Sequence, residues 1–329
     1  MKKWFLLLVA AFLLTGCGGA NNDQQSSKEK KLKKVSVVLD WTPNTNHTGL
    51  YVAKEKGYFE QQGLDVEILL PGEAGADQLV ASGKAQFGVS FQEQIATART
   101  SDLPLVSVAA IVQHNTSGFA SPAAKDIKSP KDFEGKTYGG WGSPIEKQMM
   151  ASLMKAENAD INKVKFINIG ESDFFTAIKR DIDFAWIYQG WTGVEADLRK
   201  EDLNMIYLKD YAKELDYYTP VLATNEKMID EDPETVKHFV HAASKGYQYA
   251  IDNPDQSAEI LSSAVPDLDK DLVVKSQRYL SPKYQEDAER WGEQEASRWE
   301  NFSEWMYENK LIDKELDSKK AYTNEFLPK

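Results

Sequence analysis

Apolar and polar positions along this chain fall into blocks that switch between two periods. Val35, Val37, Val38 and Leu39 form a β-branched run of strand length, Pro43 with Asn44 and Asn46 interrupts it, and Leu50 to Lys56 resumes with helical spacing. Leu64–Leu70 predicts a second strand, Gly72 and Gly75 a turn, and Ala76–Ser82 a short helix stopped by Gly83. Gln86–Phe91, a helix from Gln92 to Thr100 and the run Val106–Val112 follow. Four strands alternating with helices predict a parallel sheet with helices on its faces.

A second block of the same kind spans residues 118–219. Lys136–Trp141 predicts a strand. Ser143, Pro144 and Glu146 then place serine at an N-cap, proline at the first helical position and an acid three residues after the serine, which is a capping box. Val164–Ile169, Phe184–Tyr188 and Met205–Leu208 predict further strands, with helices near Asp173–Arg180 and Gly193–Lys200. Val221–Thr224 gives one more strand before the chain turns helical to its end. The fold class is therefore α/β.

In open α/β sheets, ligands sit beyond the carboxyl ends of the strands, where loop meets helix. The side chains falling there are Asp40, Trp41, Asn44, Gln92, Asn115, Glu146, Tyr188, Trp191 and Glu195. They are aromatics, amides and carboxylates. A sulfonate or nitrate site would call for helix N-terminal amides, hydroxyls and a positive side chain, and buried carboxylates would repel an anion. The set suits a flat, neutral or cationic ligand rich in N–H donors. Several members also have a purely architectural explanation. Capping accounts for Glu146, and an acid in a first helical turn, as at Glu195, is favoured by the helix dipole. Trp186 faces the same side of its strand as Tyr188, so one of the two belongs to the core. Trp291, Trp299, Phe302 and Trp305 are expected to pack the C-terminal segment onto the first lobe.

Composition and charge narrow the class. A net formal charge of −12 repels phosphate backbones, which excludes nucleic acid as an expected partner. His238 and His241 with Glu234 have helical spacing but no third strong ligand, so no metal is expected, and no spacing calls for a cofactor. The single cysteine, Cys17, rules out an intramolecular disulfide. It follows Met1-Lys2-Lys3, an apolar run from Trp4 to Leu14, and Leu14-Thr15-Gly16. That arrangement resembles a bacterial lipoprotein signal. It implies that residues 1–16 are removed and that Cys17 carries the lipid, fixing the protein to the outer face of the cell membrane. Residues 17–34, rich in small polar residues and ending in KEKKLKK, read as a flexible tether.

The element order, taken with this signal, resembles the solute-binding proteins of ABC importers. DWTPNTNHTGLYVAKEKGYFEQQGLDVE and GKAQFGVSFQEQIATART are similar to the family that also contains the fungal thiamin-pyrimidine synthases. The resemblance implies a bilobal type II periplasmic-binding-protein fold. Lobe 1 would comprise residues 35–117 and 220–329, lobe 2 residues 118–219, with a hinge near Asn115–Gly118 and Thr219–Val221. It further implies a monomer that captures an aminopyrimidine, N-formyl-4-amino-5-aminomethyl-2-methylpyrimidine, for an ABC permease and its ATPase. Trp41, Tyr188 and Glu195 would be the main contacts, with Asp40 and Asn115 nearby. The rival within the same family is a pyrimidine synthase that consumes a histidine, here His47. Its cysteine-rich motif is missing from the matching region Glu214–Thr219, so a non-enzymatic role is expected. A third reading keeps the binding fold with thiamin or a polyamine as ligand.

Overall fold

The computed structural model describes residues 31–170 and 172–329. The expected signal, Cys17 and all but the end of the expected tether lie outside the described residues. β1 already begins at Lys33 (Lys33–Val38), two residues inside that tether. It is held there by pairing of Lys33 with Leu64 and by the Lys33 ammonium, which reaches Asp232 and Thr235.

β1 pairs in parallel with β2 (Leu64–Leu69) and β3 (Phe87–Ser90). β4 (Leu105–Ala110) completes the run of four strands. The next five strands are β5 (Ser117–Pro122), β6 (Thr137–Gly140), β7 (Lys165–Asn168), β8 (Phe184–Tyr188) and β9 (Leu203–Tyr207), and β10 (Val221–Asn225) follows. The first sheet has the order β2-β1-β3-β10-β4 and the second β7-β6-β8-β5-β9. Each sheet thus contains one antiparallel strand, β10 in the first and β5 in the second, inserted from across the molecule.

β5 lies in no stretch that the hydrophobic pattern marks as a strand, because its sequence, SGFASP, is built of small residues. Its position explains the composition. β5 runs between β8 and β9, and a Cβ on Gly118 would stand 2.4 Å from the Ile206 carbonyl oxygen.

Alternation along β1 sends Val35, Val37 and Leu39 into a core beneath the helices Thr48–Glu55 and Pro233–Asp252, and Val38 into a second core on the opposite face. Both faces are covered, as parallel sheets require. In the second sheet, Phe119, Tyr138, Phe184 and Trp186 build one core, with Phe133 and Phe184 stacked at 4.3 Å, while Ala120, Ala185 and Ile187 pack against Phe174 and Phe175 on the other face.

The C-terminal aromatics depart from expectation. Trp291 and Trp299 do join the cores of the first sheet. One and two turns further along the helix Ala296–Glu308, however, Phe302, Trp305 and Met306 enter the core of the second sheet, and the Trp305 indole N–H donates to Ser152 at 2.9 Å. Residues three and six positions apart on one helix can reach two cores only where the lobes meet, so this helix ties them together. Among the described residues, no helix is long and apolar enough to cross a membrane.

Candidate functional site

The two crossings between the sheets run side by side and are stitched together. The Ile111 N–H donates to the Pro220 carbonyl at 3.0 Å, and the Asp216 carboxylate receives the Asn115 N–H at 2.9 Å and the His114 ring at 2.6 Å. Burial works to raise the Asp216 pKa, but these partners and the Arg298 charge hold it below the usual carboxylate range. Two of the expected ligand residues turn out to be part of this bracing. The Asn115 side chain is fully buried, donates to the Leu215 carbonyl and accepts from the Ser117 N–H and hydroxyl. Gln92 is equally buried, accepting from the Tyr218 N–H at 2.8 Å and donating to the Arg298 carbonyl. The side-chain groups of both residues are thus engaged within the protein.

Glu146 is engaged within the protein as well. Its carboxylate accepts from the Tyr138 hydroxyl at 2.6 Å and from the N–H groups of Trp141, Gly142 and Ser143, closing the capping box and the loop before it. Glu195 lies on the short helix Val194–Arg199, where it forms an ion pair with Arg199 at 2.5 Å. Both glutamates expected at the ligand therefore have protein partners, as does the third carboxylate, Asp40, which pairs with His47.

Asn44, Tyr188 and Trp191 do come together. They line a narrow cavity with Thr45, Asn46, Thr116, Gly190, Thr219 and Leu280, which in this form has room for little more than a water molecule. Tyr188 ends β8, with its ring beside Trp186, which in turn stacks on Trp141 at 5.2 Å. Trp186 is thus the core member of the pair and Tyr188 the one at the cavity. Trp41 and Trp141 follow β1 and β6 at the carboxyl edges of their sheets and stay about half exposed.

The loop carrying Asn44 and Thr45 is positioned by residues distant in sequence. The Tyr247 hydroxyl donates to the Asn46 carbonyl at 2.7 Å and the Tyr284 hydroxyl to the Thr45 carbonyl at 2.5 Å. Ser276, on the helix Lys270–Leu280, contacts the Thr45 hydroxyl at 2.5 Å and donates to the Gly190 carbonyl. One serine thus joins the two lobes across the cavity. A Cβ on Gly190 would stand 2.9 Å from Leu280 Cδ2. Gly190→Ala should resist this approach of the lobes, weakening ligand affinity about tenfold while leaving the melting temperature nearly unchanged. Titration calorimetry with parallel melting curves checks it, and unchanged affinity would count against a closing contact here.

His47 is wholly buried, with both ring nitrogens engaged. Nδ1 accepts the Asn44 N–H at 3.1 Å, so the ring proton sits on Nε2 and is donated to Asp40 at 2.6 Å. The histidine orients Asp40 and is sealed from the cavity.

The acidic group that the sequence did not single out is Glu93, the neighbour of Gln92 in the first turn of the helix Gln92–Thr100. Its Oε2 is out of solvent without a hydrogen-bond partner, as are the Tyr217 hydroxyl and the Trp186 indole N–H. Burial, helped by the charge of Asp77, pushes the Glu93 carboxyl up to about 8. Burial also raises Asp77, with Asp40 adding to the effect, and raises Tyr188, with Glu93 adding. The only sequence signal for Glu93 was an acid at a strand-to-helix junction, which first-turn preference explains equally well.

A carboxyl whose folded pKa exceeds its unfolded value keeps a proton that the unfolded chain releases. Stability should then fall as pH rises from about 4.5 to about 8, with Glu93 supplying at most about 1.4 kcal/mol per pH unit. Urea denaturation across this window should show a smaller decline for Glu93→Gln than for the wild type; equal slopes would refute the assignment.

Comparison with known proteins agrees with this architecture. A family model described as NMT1/THI5 like matches residues 44–257. The chain belongs to the NMT1/THI5-like family. A formylaminopyrimidine-binding protein of Halalkalibacterium halodurans is 29% identical to it over 306 residues, covering 90% of this chain and 91% of that relative. A 4-amino-5-hydroxymethyl-2-methylpyrimidine phosphate synthase of Legionella pneumophila is 24% identical, covering 90% and 92%. The relatives of this chain thus include both a binding protein and a synthase. Among solved structures, the alkanesulfonate-binding protein SsuA from Xanthomonas axonopodis pv. citri bound to MOPS superimposes with a TM-score of 0.69 over 89% of this chain and 99% of that one, at 12% identity. At that identity the likeness establishes the bilobal periplasmic-binding-protein fold alone.

Proposed function

We propose that this chain is the extracytoplasmic solute-binding lipoprotein of an ABC importer and that its solute is the thiamin-pyrimidine precursor N-formyl-4-amino-5-aminomethyl-2-methylpyrimidine. The observation that carries this reading is a cavity between two lobes whose lining contains tyrosine, tryptophan, amides and hydroxyls and neither arginine nor lysine. Such a lining suits a flat, uncharged ring and offers an anion no counter-charge. A relative that aligns over nine-tenths of the chain at 29% identity and is named for binding formylaminopyrimidine supports the same ligand class.

In this reading the ring enters between the lobes and lies against Tyr188, with Trp41 and Trp191 as further aromatic surfaces. Contacts made by both lobes at once lower the energy of the closed form, so ligand shifts the population towards closure. The closed form docks on a membrane permease, and a separate ATPase drives uptake. Lipid on Cys17 holds the protein at the outer face of the membrane.

Calorimetric titration with the formylated pyrimidine, its deformylated form and thiamin tests the ligand. Tight one-to-one binding of the formylated pyrimidine, with weaker binding of the other two, is the expected result. Binding of none of the three would remove the pyrimidine from the proposal, and preference for thiamin would replace it.

A further inference from the structure

We infer that Glu93 recognises the ligand as a neutral carboxylic acid, presenting an O–H donor and a C=O acceptor side by side to the ring-nitrogen and amino-group edge of an aminopyrimidine. The inference deepens the pyrimidine reading above and rests on it.

The geometry supplies the first part of the argument. Glu93 starts the helix that follows β3 and lies within electrostatic reach of Tyr188, the aromatic residue at the cavity. Its Oε2 has neither solvent nor a hydrogen-bond partner. A second polar group stands near it in the same condition. The Tyr217 hydroxyl, on a fully buried side chain, is within reach of the Glu93 charge. Buried polar groups without partners are costly, roughly 1–3 kcal/mol each, so two of them close to the aromatic Tyr188 point to a polar ligand that completes them.

The ligand's chemistry supplies the second part. Beside its amino group, an aminopyrimidine carries a ring nitrogen with a lone pair, so this edge reads donor then acceptor. A carboxylate is acceptor only and would set one of its lone pairs against that of the ring nitrogen. A carboxylic acid matches both positions. Should the proton move onto the ring, a carboxylate facing a pyrimidinium remains, with the same proton shared by the pair. The groups facing Glu93 favour the protonated form. Asp77 from the preceding helix is an acid, Tyr188 and Tyr217 are phenols held neutral by burial, and Asp40 lies behind Asp77.

The test is a titration of the full chain with N-formyl-4-amino-5-aminomethyl-2-methylpyrimidine between about pH 6 and about pH 10, for the wild type, Glu93→Gln and Glu93→Ala. Wild-type affinity should be level below about pH 8 and fall about tenfold per pH unit above it. Glu93→Gln replaces the acid with an amide that keeps one donor and one acceptor. It should weaken binding by less than about tenfold and abolish the pH dependence, whereas Glu93→Ala should lose more than about tenfold at every pH. Melting curves establish that each variant is folded. Proton exchange on binding to the wild type, measured in two buffers of different ionisation enthalpy, needs no variant. Uptake approaching one proton per ligand well above pH 8, with none below, is expected.

Affinity that rises with pH, proton release near neutrality, and a glutamine variant as damaged as the alanine variant would together make Glu93 an anionic partner of a cationic ligand and overturn the inference. Undiminished binding by Glu93→Ala would overturn it as well, leaving the pyrimidine reading intact. Failure of the wild type to bind the pyrimidine at all would overturn that reading and this inference with it.

Discussion

Replacing Gly246 with alanine should destabilise this protein by about 2–3 kcal/mol, against the usual gain from removing a glycine within a helix. Gly246 lies in the helix Pro233–Asp252 where it crosses the helix Thr48–Glu55 at Gly49. A methyl group at 246 would stand 2.0 Å from the Gly49 carbonyl oxygen and 2.9 Å from Ala53 Cβ. The same crossing is tight from the other side, where a Cβ on Gly49 would meet the Tyr247 ring at 2.3 Å. A side chain in the way could rotate, but a backbone carbonyl cannot, so the helices must move apart. Alanine returns roughly 1 kcal/mol of helix propensity, which the steric conflict outweighs. Because the Tyr247 hydroxyl holds the Asn46 carbonyl, the separation also displaces the loop at the cavity, and affinity should fall along with stability. Urea denaturation reads the first effect and calorimetry the second. A variant at least as stable as the wild type would mean that the helices do not touch here.

Tyr188→Ala should weaken pyrimidine binding about thirtyfold, or about 2 kcal/mol, with only a small change in melting temperature. Tyr188 is half-buried at the end of β8, with one side of its ring on Trp186 and an edge at the cavity. Stacking gives about 0.5–1.5 kcal/mol beyond area burial, and the lost apolar area supplies the remainder. Tyr188→Phe retains the ring and gives up a 3.4 Å contact of the hydroxyl with Thr219, too long to matter much. It should therefore bind within a few-fold of the wild type. Equal affinity of wild type and Tyr188→Ala, both folded, would place the ligand elsewhere.

These two expectations draw on different levels of information. Tyr188 was legible in the sequence, since an aromatic closing a short apolar run lands at a strand's carboxyl end wherever the strand pairs. Asn44 and Trp191 were legible on the same logic, and so were the two α/β halves, because strand and helix periods are local properties of the chain. The capping role of Glu146 was likewise written into four consecutive residues. Nothing local distinguishes Gly246 from any other helical glycine. Its importance arises from a carbonyl nearly two hundred residues away.

The remaining features share that origin. Gln92 and Asn115 carry the same amide whether they face a ligand or brace a hinge, and only the meeting of the two crossings assigned them to the hinge. Glu93 looked like an ordinary first-turn acid until folding took its Oε2 out of solvent, with Asp77 and two phenols within reach of its charge. β5 was invisible because most of its residues are small, as the close approach of the Ile206 carbonyl requires at Gly118, and these carry no periodic signal. Periodicity and turn chemistry thus determined the elements, the α/β class and the kind of surface at each strand end. Which polar groups find partners and which do not was decided by tertiary structure, since a hydrogen bond is satisfied by proximity in space and not by position in sequence.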